Sequence, residues 1–206
     1  MLTIALPKGR LGDKVYSLLD QAGLGIPEME DYGRKLVIEN EEAGIRYLLV
    51  KPSDVAVYVE KGGADLGVCG KDILEESGAD VFEMVDLGFG KCSMCVAAPQ
   101  TYVEDYDRKV RVATKFEHIA RSYYASIGRD ADFIHLNGSI ELAPVVGLSD
   151  VIVDIVETGT TLRENHLKVI TKFMDISARL IVNKASYRFN DGRIDQIVRA
   201  IKETIA

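Results

Sequence analysis

Short apolar runs alternate with helical patterns along almost the whole chain. Residues 2–6 form an apolar run closed by Pro7 and read as a buried strand. Val15, Leu18, Leu19 and Ala22 then recur at i, i+3, i+4 and i+7, one face of a helix that Gly23 stops. Residues 36–38 and 45–50 read as two strands joined by a polar turn. Ser53 and Asp54 are placed to cap a helix running to about Glu60, which Gly62 and Gly63 end. Residues 66–69 form another strand. Asp72 with Glu75 has the spacing of a capping box, in which two side chains satisfy the free N–H groups at a helix start.

The second half repeats this rhythm. Strands are predicted at 110–113, 133–136 and 151–156, and an extended stretch over 168–182. Thr114 with Glu117 and Thr161 with Glu164 supply two more capping-box spacings, and Gly128 is a helix terminator. Ile194, Ile197, Val198, Ile201 and Ile205 lie on one face of a closing helix. Strands alternating with helices predict an α/β fold with mixed, mostly parallel sheets. There is also an internal echo. Residues 62–68 and 147–153 share Gly-x-x-Asp-apolar-x-Val, which predicts two similar α/β lobes. No Pro- or Ser-rich linker separates them, so the chain is expected to cross near 88–95 and 172–180. The lobes are then 1–90 with 176–206, and 91–175, with a small-ligand cleft between them.

Composition narrows the function. Of 206 residues, 32 are acidic and 25 basic, a net charge of −7 that argues against binding nucleic acid through bulk charge. No apolar window approaches the about 18 residues of a membrane helix, and the first ten residues lack the pattern of a secretory signal. Three cysteines, Cys69, Cys92 and Cys95, form no disulfide framework and fit a reducing, cytoplasmic setting. Cys92 and Cys95 have CxxC spacing without a second pair, so they read as small core residues.

Three strand-to-helix turns carry candidate chemistry. In residues 151–162 an apolar strand runs into Asp154 and Glu157, then Thr158, Gly159, Thr160, Thr161 and Leu162. Hydroxyls, loop amides and a helix N-terminus suit a phosphate. The two acids suit ribose hydroxyls or Mg²⁺. Phosphate, sugar hydroxyl and metal are what a phosphoribosyl diphosphate presents; the plain alternative is a Thr-rich turn without a ligand. In the second turn, Lys8 and Arg10 flank Gly9 where the first helix begins, which suits an anion or else a solvated basic turn. The third, residues 67–72, contains Gly70, Lys71 and Asp72, and Arg34, Lys35 and Lys51 lie beside strands. Such turns lie where α/β folds place ligands. His118, His135 and His166 fall in separate contexts, with the first and last read as helical surface residues. Tyr123 and Tyr124 read as packing. A solute-binding protein of the same fold and a free-base phosphoribosyltransferase remain alternatives. The latter usually has two adjacent acids before the loop, whereas Asp154 and Glu157 are three apart.

These segments, in this order, resemble the catalytic chain of the ATP phosphoribosyltransferase family. The matching stretches are 4–11, 63–72, 113–121, 138–144 and onward through 158–165. The resemblance implies two α/β lobes like a type II periplasmic binding protein. It implies joining of N1 of ATP to C1 of phosphoribosyl diphosphate with Mg²⁺, the first step of histidine biosynthesis. The chain ends after its closing helix, like the short form. That form works with a regulatory subunit resembling histidyl-tRNA synthetase in a hetero-octamer, and its catalytic chains self-associate as a dimer. By the resemblance, residues 157–162 hold the 5-phosphate, with Asp154 and Glu157 near the ribose and holding the metal. Lys8, Arg10 and Arg34 serve ATP and the departing diphosphate, and Lys51, Gly70 and Asp72 join the ATP site. Two positions depart from many relatives: Lys51 stands where Arg is usual and Glu157 where some carry Asp.

Overall fold

The computed structural model describes residues 1–189 and 192–205. Its strands are β1 (Leu2–Pro7), β2 (Val37–Asn40), β3 (Ile45–Val50), β4 (Leu66–Gly70), β5 (Phe82–Asp86), β6 (Cys92–Pro99), β7 (Val110–Thr114), β8 (Ala131–His135), β9 (Val151–Val156), β10 (Leu167–Ile176) and β11 (Ala178–Val182). The helices are α1 (Arg10–Leu19), α2 (Val55–Glu60), α3 (Lys71–Ser77), α4 (Glu117–Ser126), α5 (Leu142–Val145), α6 (Thr160–Glu164), α7 (Lys184–Phe189) and α8 (Arg193–Ile205). The chain divides into two compact units, Met1–Gly90 with the segment from Ser177 onward, and Lys91–Ile176.

The first unit holds a six-stranded sheet in the order β2-β3-β1-β4-β11-β5. β1 is parallel to β3 and β4, while β11 runs antiparallel to β4 and β5. The period-2 alternation of β1 explains its burial on both faces. Leu2, Ile4 and Leu6 pack with Val15 and Leu18 of α1 and Ile194, Ile197 and Ile201 of α8. Ala5 packs on the other face with Val55, Ala56 and Val59 of α2. Each such large side chain, fully buried, contributes about 1.5–3 kcal/mol.

The second unit holds a five-stranded sheet in the order β10-β6-β9-β7-β8. β7 is parallel to β8 and β9, and β6 is antiparallel to β9 and β10. Val110, Val112, Val151 and Val153 pack under α4. Ala113 and Ile152 face the other way, toward Ala143 of α5 and Leu162 of α6.

The internal echo is a structural repeat. Asp65 and Asp150 close the same reciprocal pair at the start of the same parallel ladder. The Thr3 N–H donates to the Asp65 carboxylate at 2.8 Å and the Asp65 N–H to the Thr3 carbonyl at 2.8 Å. The Arg111 N–H donates to the Asp150 carboxylate at 2.9 Å and the Asp150 N–H to the Arg111 carbonyl at 2.9 Å. Gly62 and Gly147 sit at φ 75° and 74°. The register matches as well, with Ile4 opposite Leu66 and Val112 opposite Val151.

Several local expectations are corrected. None of the three capping boxes forms: the positions before α3, α4 and α6 are Gly70, Phe116 and Gly159, and none makes a side-chain cap bond. Ser53 and Asp54 lie in a 3₁₀ turn, and Asp54 makes no side-chain cap bond to α2. The stretch 168–182 is two strands, β10 and β11, which belong to different sheets. α1 ends at Leu19, and a further helical turn runs to Leu24, with Gly23 at φ 80° inside it. His166 lies after α6 at φ 57°, not in a helix. Tyr123 stacks on Phe173 at 4.0 Å and meets Tyr124 edge-on, the packing role expected of the pair. All three cysteines are free, and Cys69 and Cys95 are buried.

Candidate functional site

Both units place a candidate turn where strand order reverses. In the second, β7 is followed by β8 on one side and then β9 on the other. In α/β sheets, the crevice beyond the carboxyl ends of such a strand pair takes ligands. There the chain carries Asp154 within β9, leaves the strand after Val156 and passes through the turn 157–159 into α6. β9 alternates faces, so Asp154 shares the side of Ile152, the side of α5 and α6.

The turn itself is braced. Gly159 precedes α6 in the left-handed region at φ 72°, a conformation that favours glycine. The Thr158 and Thr160 hydroxyls lie 3.1 Å apart. Arg163 reaches back: one guanidinium nitrogen donates to the Thr158 carbonyl at 3.1 Å, the other to the Thr160 hydroxyl at 3.0 Å. Thr158, Thr160 and Thr161 are exposed, while Leu162 is buried and anchors the turn to the core. α6 has only five residues, so its dipole adds little, and the hydroxyls and turn amides are the groups that could meet an anion. The resemblance and motif did not single out Arg163, whose bracing depends on the fold of the turn.

Asp154 is the electrostatic focus. Burial pushes its carboxyl up to about 6, the Ile155 N–H at 2.8 Å and Lys115 oppose the rise, and Glu141 adds to it. Among the described residues no three His, Cys, Asp or Glu side chains gather to hold a metal ion. Asp154 and Glu157 therefore fit only an ion that arrives with phosphate oxygens, since Mg²⁺ commonly takes one or two carboxylates beside substrate phosphates and water.

In the first unit the equivalent strand is β1, with β3 on one side and β4 on the other. Gly9 precedes α1 at φ 90°, and Gly12 lets the helix pass close over the strand end. A Cβ at Gly12 would lie 1.8 Å from the Pro7 carbonyl oxygen. Beside this turn opens a cavity of about 440 Å³ lined by Lys8, Arg34, Lys35, Tyr16 and Tyr32, among others. The Tyr16 hydroxyl is already committed, donating to the Ile26 carbonyl at 3.0 Å and accepting from its N–H at 3.1 Å, so the ring serves as a wall. Lys8 and Arg34 are thus brought together. Arg10, Lys51, Gly70 and Asp72 do not line this cavity; Arg10 and Lys51 are exposed and Asp72 is buried beside Gly70. Tyr16 and Tyr32 were not singled out from sequence, because a tyrosine beside an apolar helical stripe reads as core. Lys35 was noted only as lying beside a strand.

Residues 51–203 match the family model described as HisG, ATP phosphoribosyltransferase. An ATP phosphoribosyltransferase from Brachyspira hyodysenteriae is 57% identical over all of both chains. One from Thermoanaerobacter sp. (strain X514) is 50% identical over 99% of this chain and 96% of its own. Among solved structures, a chain of the ATP phosphoribosyl transferase (HisG:HisZ) complex from Thermotoga maritima superimposes with a TM-score of 0.87 and 34% identity. The match covers 100% of this chain and 98% of that one. The substrate binding protein of an amino acid ABC transporter shares the fold alone, with a TM-score of 0.60 and 13% identity over 98% of this chain and 92% of its own. The chain belongs to the HisG family of ATP phosphoribosyltransferases.

Proposed function

We propose that this chain is the catalytic chain of a short-form ATP phosphoribosyltransferase. It transfers the phosphoribosyl group of 5-phosphoribosyl 1-diphosphate to N1 of ATP, releases diphosphate, and so performs the first step of histidine biosynthesis. One observation carries the activity: 57% identity, end to end, with a relative bearing that name. The turn after β9 supports placing the donor in the second unit. Thr158, Gly159, Thr160, Thr161 and Leu162 form the 5-phosphate cradle, and Asp154 and Glu157 accept from the ribose hydroxyls. The cation-lined cavity of the first unit supports placing ATP there, with Lys8 and Arg34 on its phosphates. Arg10, Lys51, Gly70 and Asp72 complete the assignment made by resemblance.

The chemistry asks little of a general base, because adenine N1 already presents a lone pair. The anomeric carbon gains positive character as the bond to diphosphate breaks, as in other glycosyl transfers. The barrier then depends on setting N1 in line with C1 and on neutralising the leaving group. Lys8, Arg10 and Arg34 supply that positive charge. Asp154 and Glu157 would hold Mg²⁺ brought by the diphosphate; when bound, the ion adds to the neutralisation. Arg10→Ala should lower kcat about a hundredfold, the usual order for losing one electrostatic stabiliser; near-normal turnover would remove Arg10 from this role.

The HisG:HisZ neighbour supports a partner subunit for this chain; the family resemblance makes that partner a subunit like histidyl-tRNA synthetase, in a hetero-octamer with self-associating catalytic chains. Three free cysteines support a cytoplasmic setting. No helix among the described residues is long and apolar enough to cross a membrane. The test mixes the purified chain with ATP, phosphoribosyl diphosphate and Mg²⁺, with and without a HisZ-type subunit, and follows the adduct's ultraviolet absorption. An adduct from ATP but not from free adenine supports the reading. Binding of a small solute without turnover under both conditions would overturn it.

A further inference from the structure

The phosphate turn of the second unit is rich in hydroxyls, yet its one arginine is spent on bracing. Arg163 donates to the Thr158 carbonyl and the Thr160 hydroxyl. A dianionic 5-phosphate and a diphosphate need a cation that is not already committed. The end of the switch-point strand is where to look for one. In the first unit the parallel strand at the switch point, β1, runs directly into Lys8, which lines the cavity. The matching strand in the second unit is β7, which runs into Lys115.

Three observations place Lys115 beside the donor turn. Thr114 pairs with Val153 across the β7–β9 ladder, so Lys115, the first residue after β7, comes level with Asp154 of β9. Alternation along β7 puts Ala113 on the face it shares with Ile152, and Lys115 continues that face, the face of Asp154. The chain is also pinned on either side of Lys115. The buried Thr114 hydroxyl donates to the Val153 carbonyl at 2.7 Å and accepts from the Phe116 N–H at 2.9 Å. The side chain of Lys115 is exposed, and its ammonium has no ion-pair partner among the described residues. A lysine on a pinned backbone, across a ladder from a recessed aspartate and next to an anion turn, is a ready cation.

We propose that Lys115 binds the anionic donor, as the uncommitted cation of the second unit's site. This rests on the assignment of phosphoribosyl diphosphate to the turn after β9. The ammonium provides a point charge that reaches a phosphate oxygen from the β7 side, opposite the hydroxyls of Thr158, Thr160 and Thr161.

The experiment titrates phosphoribosyl diphosphate and ribose 5-phosphate calorimetrically into the full chain, the Lys115→Met and Lys115→Arg variants, and a Thr160→Val reference. Lys115→Met should weaken phosphoribosyl diphosphate about tenfold or more, with Tm and the KM for ATP unchanged. Lys115→Arg should recover most of that loss. Equal weakening of ribose 5-phosphate places the ammonium on the 5-phosphate, and weakening of the diphosphate alone places it on the leaving group; both support the proposal. A change under twofold in Lys115→Met, while Thr160→Val loses donor affinity, overturns the role of Lys115 alone. Unchanged donor affinity in both variants overturns the assignment of the turn as well.

Discussion

The two units share a ladder and diverge where it ends. In the first, β4 passes straight from Gly70 into α3 at Lys71. In the second, β9 ends at Val156 and three further residues, 157–159, intervene before α6 at Thr160. Upstream, the register of the parallel strands and the reciprocal aspartate pair are the same. The scaffold is therefore common, and the chemistry is written into turn length and turn residues. The first unit offers cations over a cavity with tyrosine walls, and the second offers hydroxyls and carboxylates. That division suits two ligands with different needs: a nucleotide with a flat base, and a sugar phosphate whose hydroxyls need acceptors.

The comparison breaks most severely at Gly12. If the first unit's turn depends on the close pass of α1 over β1, Gly12→Ala should cost about 3 kcal/mol, because the clash is with backbone. A melting temperature unchanged within 2 °C would refute that dependence.

Asp154 sharpens the contrast between scaffold and site. Its carboxyl sits at about 6, above its unfolded value, so ionisation costs the fold stability as pH rises through that value. Asp154→Asn should therefore raise stability at pH 8 by about 2–3 kcal/mol. The gain should fade as pH falls from 6 toward 4. Turnover should drop in the same variant. Loss of both stability and activity at pH 8 would contradict the electrostatic account.

Asp150 has the opposite sign. The Arg108 guanidinium, at 2.8 Å, holds its carboxyl well below the usual range, with Arg111 adding to the effect and burial opposing it. Its stabilisation is present above an unfolded value near about 4 and is lost as pH falls below it. Asp150→Asn should cost about 2 kcal/mol at pH 7, with the deficit shrinking in acid. A pH-independent deficit would point to packing instead. The smallest effect is at Ser149, whose buried hydroxyl finds no partner among the described residues and whose counterpart in the repeat is Ala64. Ser149→Ala should gain about 1 kcal/mol, measured by denaturant midpoint; a loss would show that the hydroxyl is satisfied in solution.

What could be read in the sequence was set by short-range pattern. Apolar runs located β1, β3, β4, β7 and β9, and Gly128 ended α4 where expected, at φ 64°. The shared Gly-x-x-Asp pattern was legible because both copies perform one task. The capping boxes misled because Ser/Thr/Asp spacing says nothing of where a strand stops, and here glycines precede α3 and α6. β5 and α7 carry no periodicity strong enough to announce them. The single extended stretch could not reveal that Ser177 separates strands of two sheets. In the candidate site, the acid-then-threonine turn was visible as local chemistry. Tyr16, Tyr32, Arg163 and Lys115 were not, since each acquires meaning only from residues distant in the chain.

The crossing points have a consequence for biogenesis. Lys91–Ile176 is an insertion within the first unit, and β11 sits between β4 and β5 in the first unit's sheet. On a ribosome the inserted portion finishes first. Its host keeps an unfilled slot between β4 and β5 until residues 178–182 emerge, with α8 later still. The early-made half must therefore tolerate a gapped sheet for most of translation, and a nascent chain halted before β11 should expose the edges of β4 and β5 to proteases and chaperones.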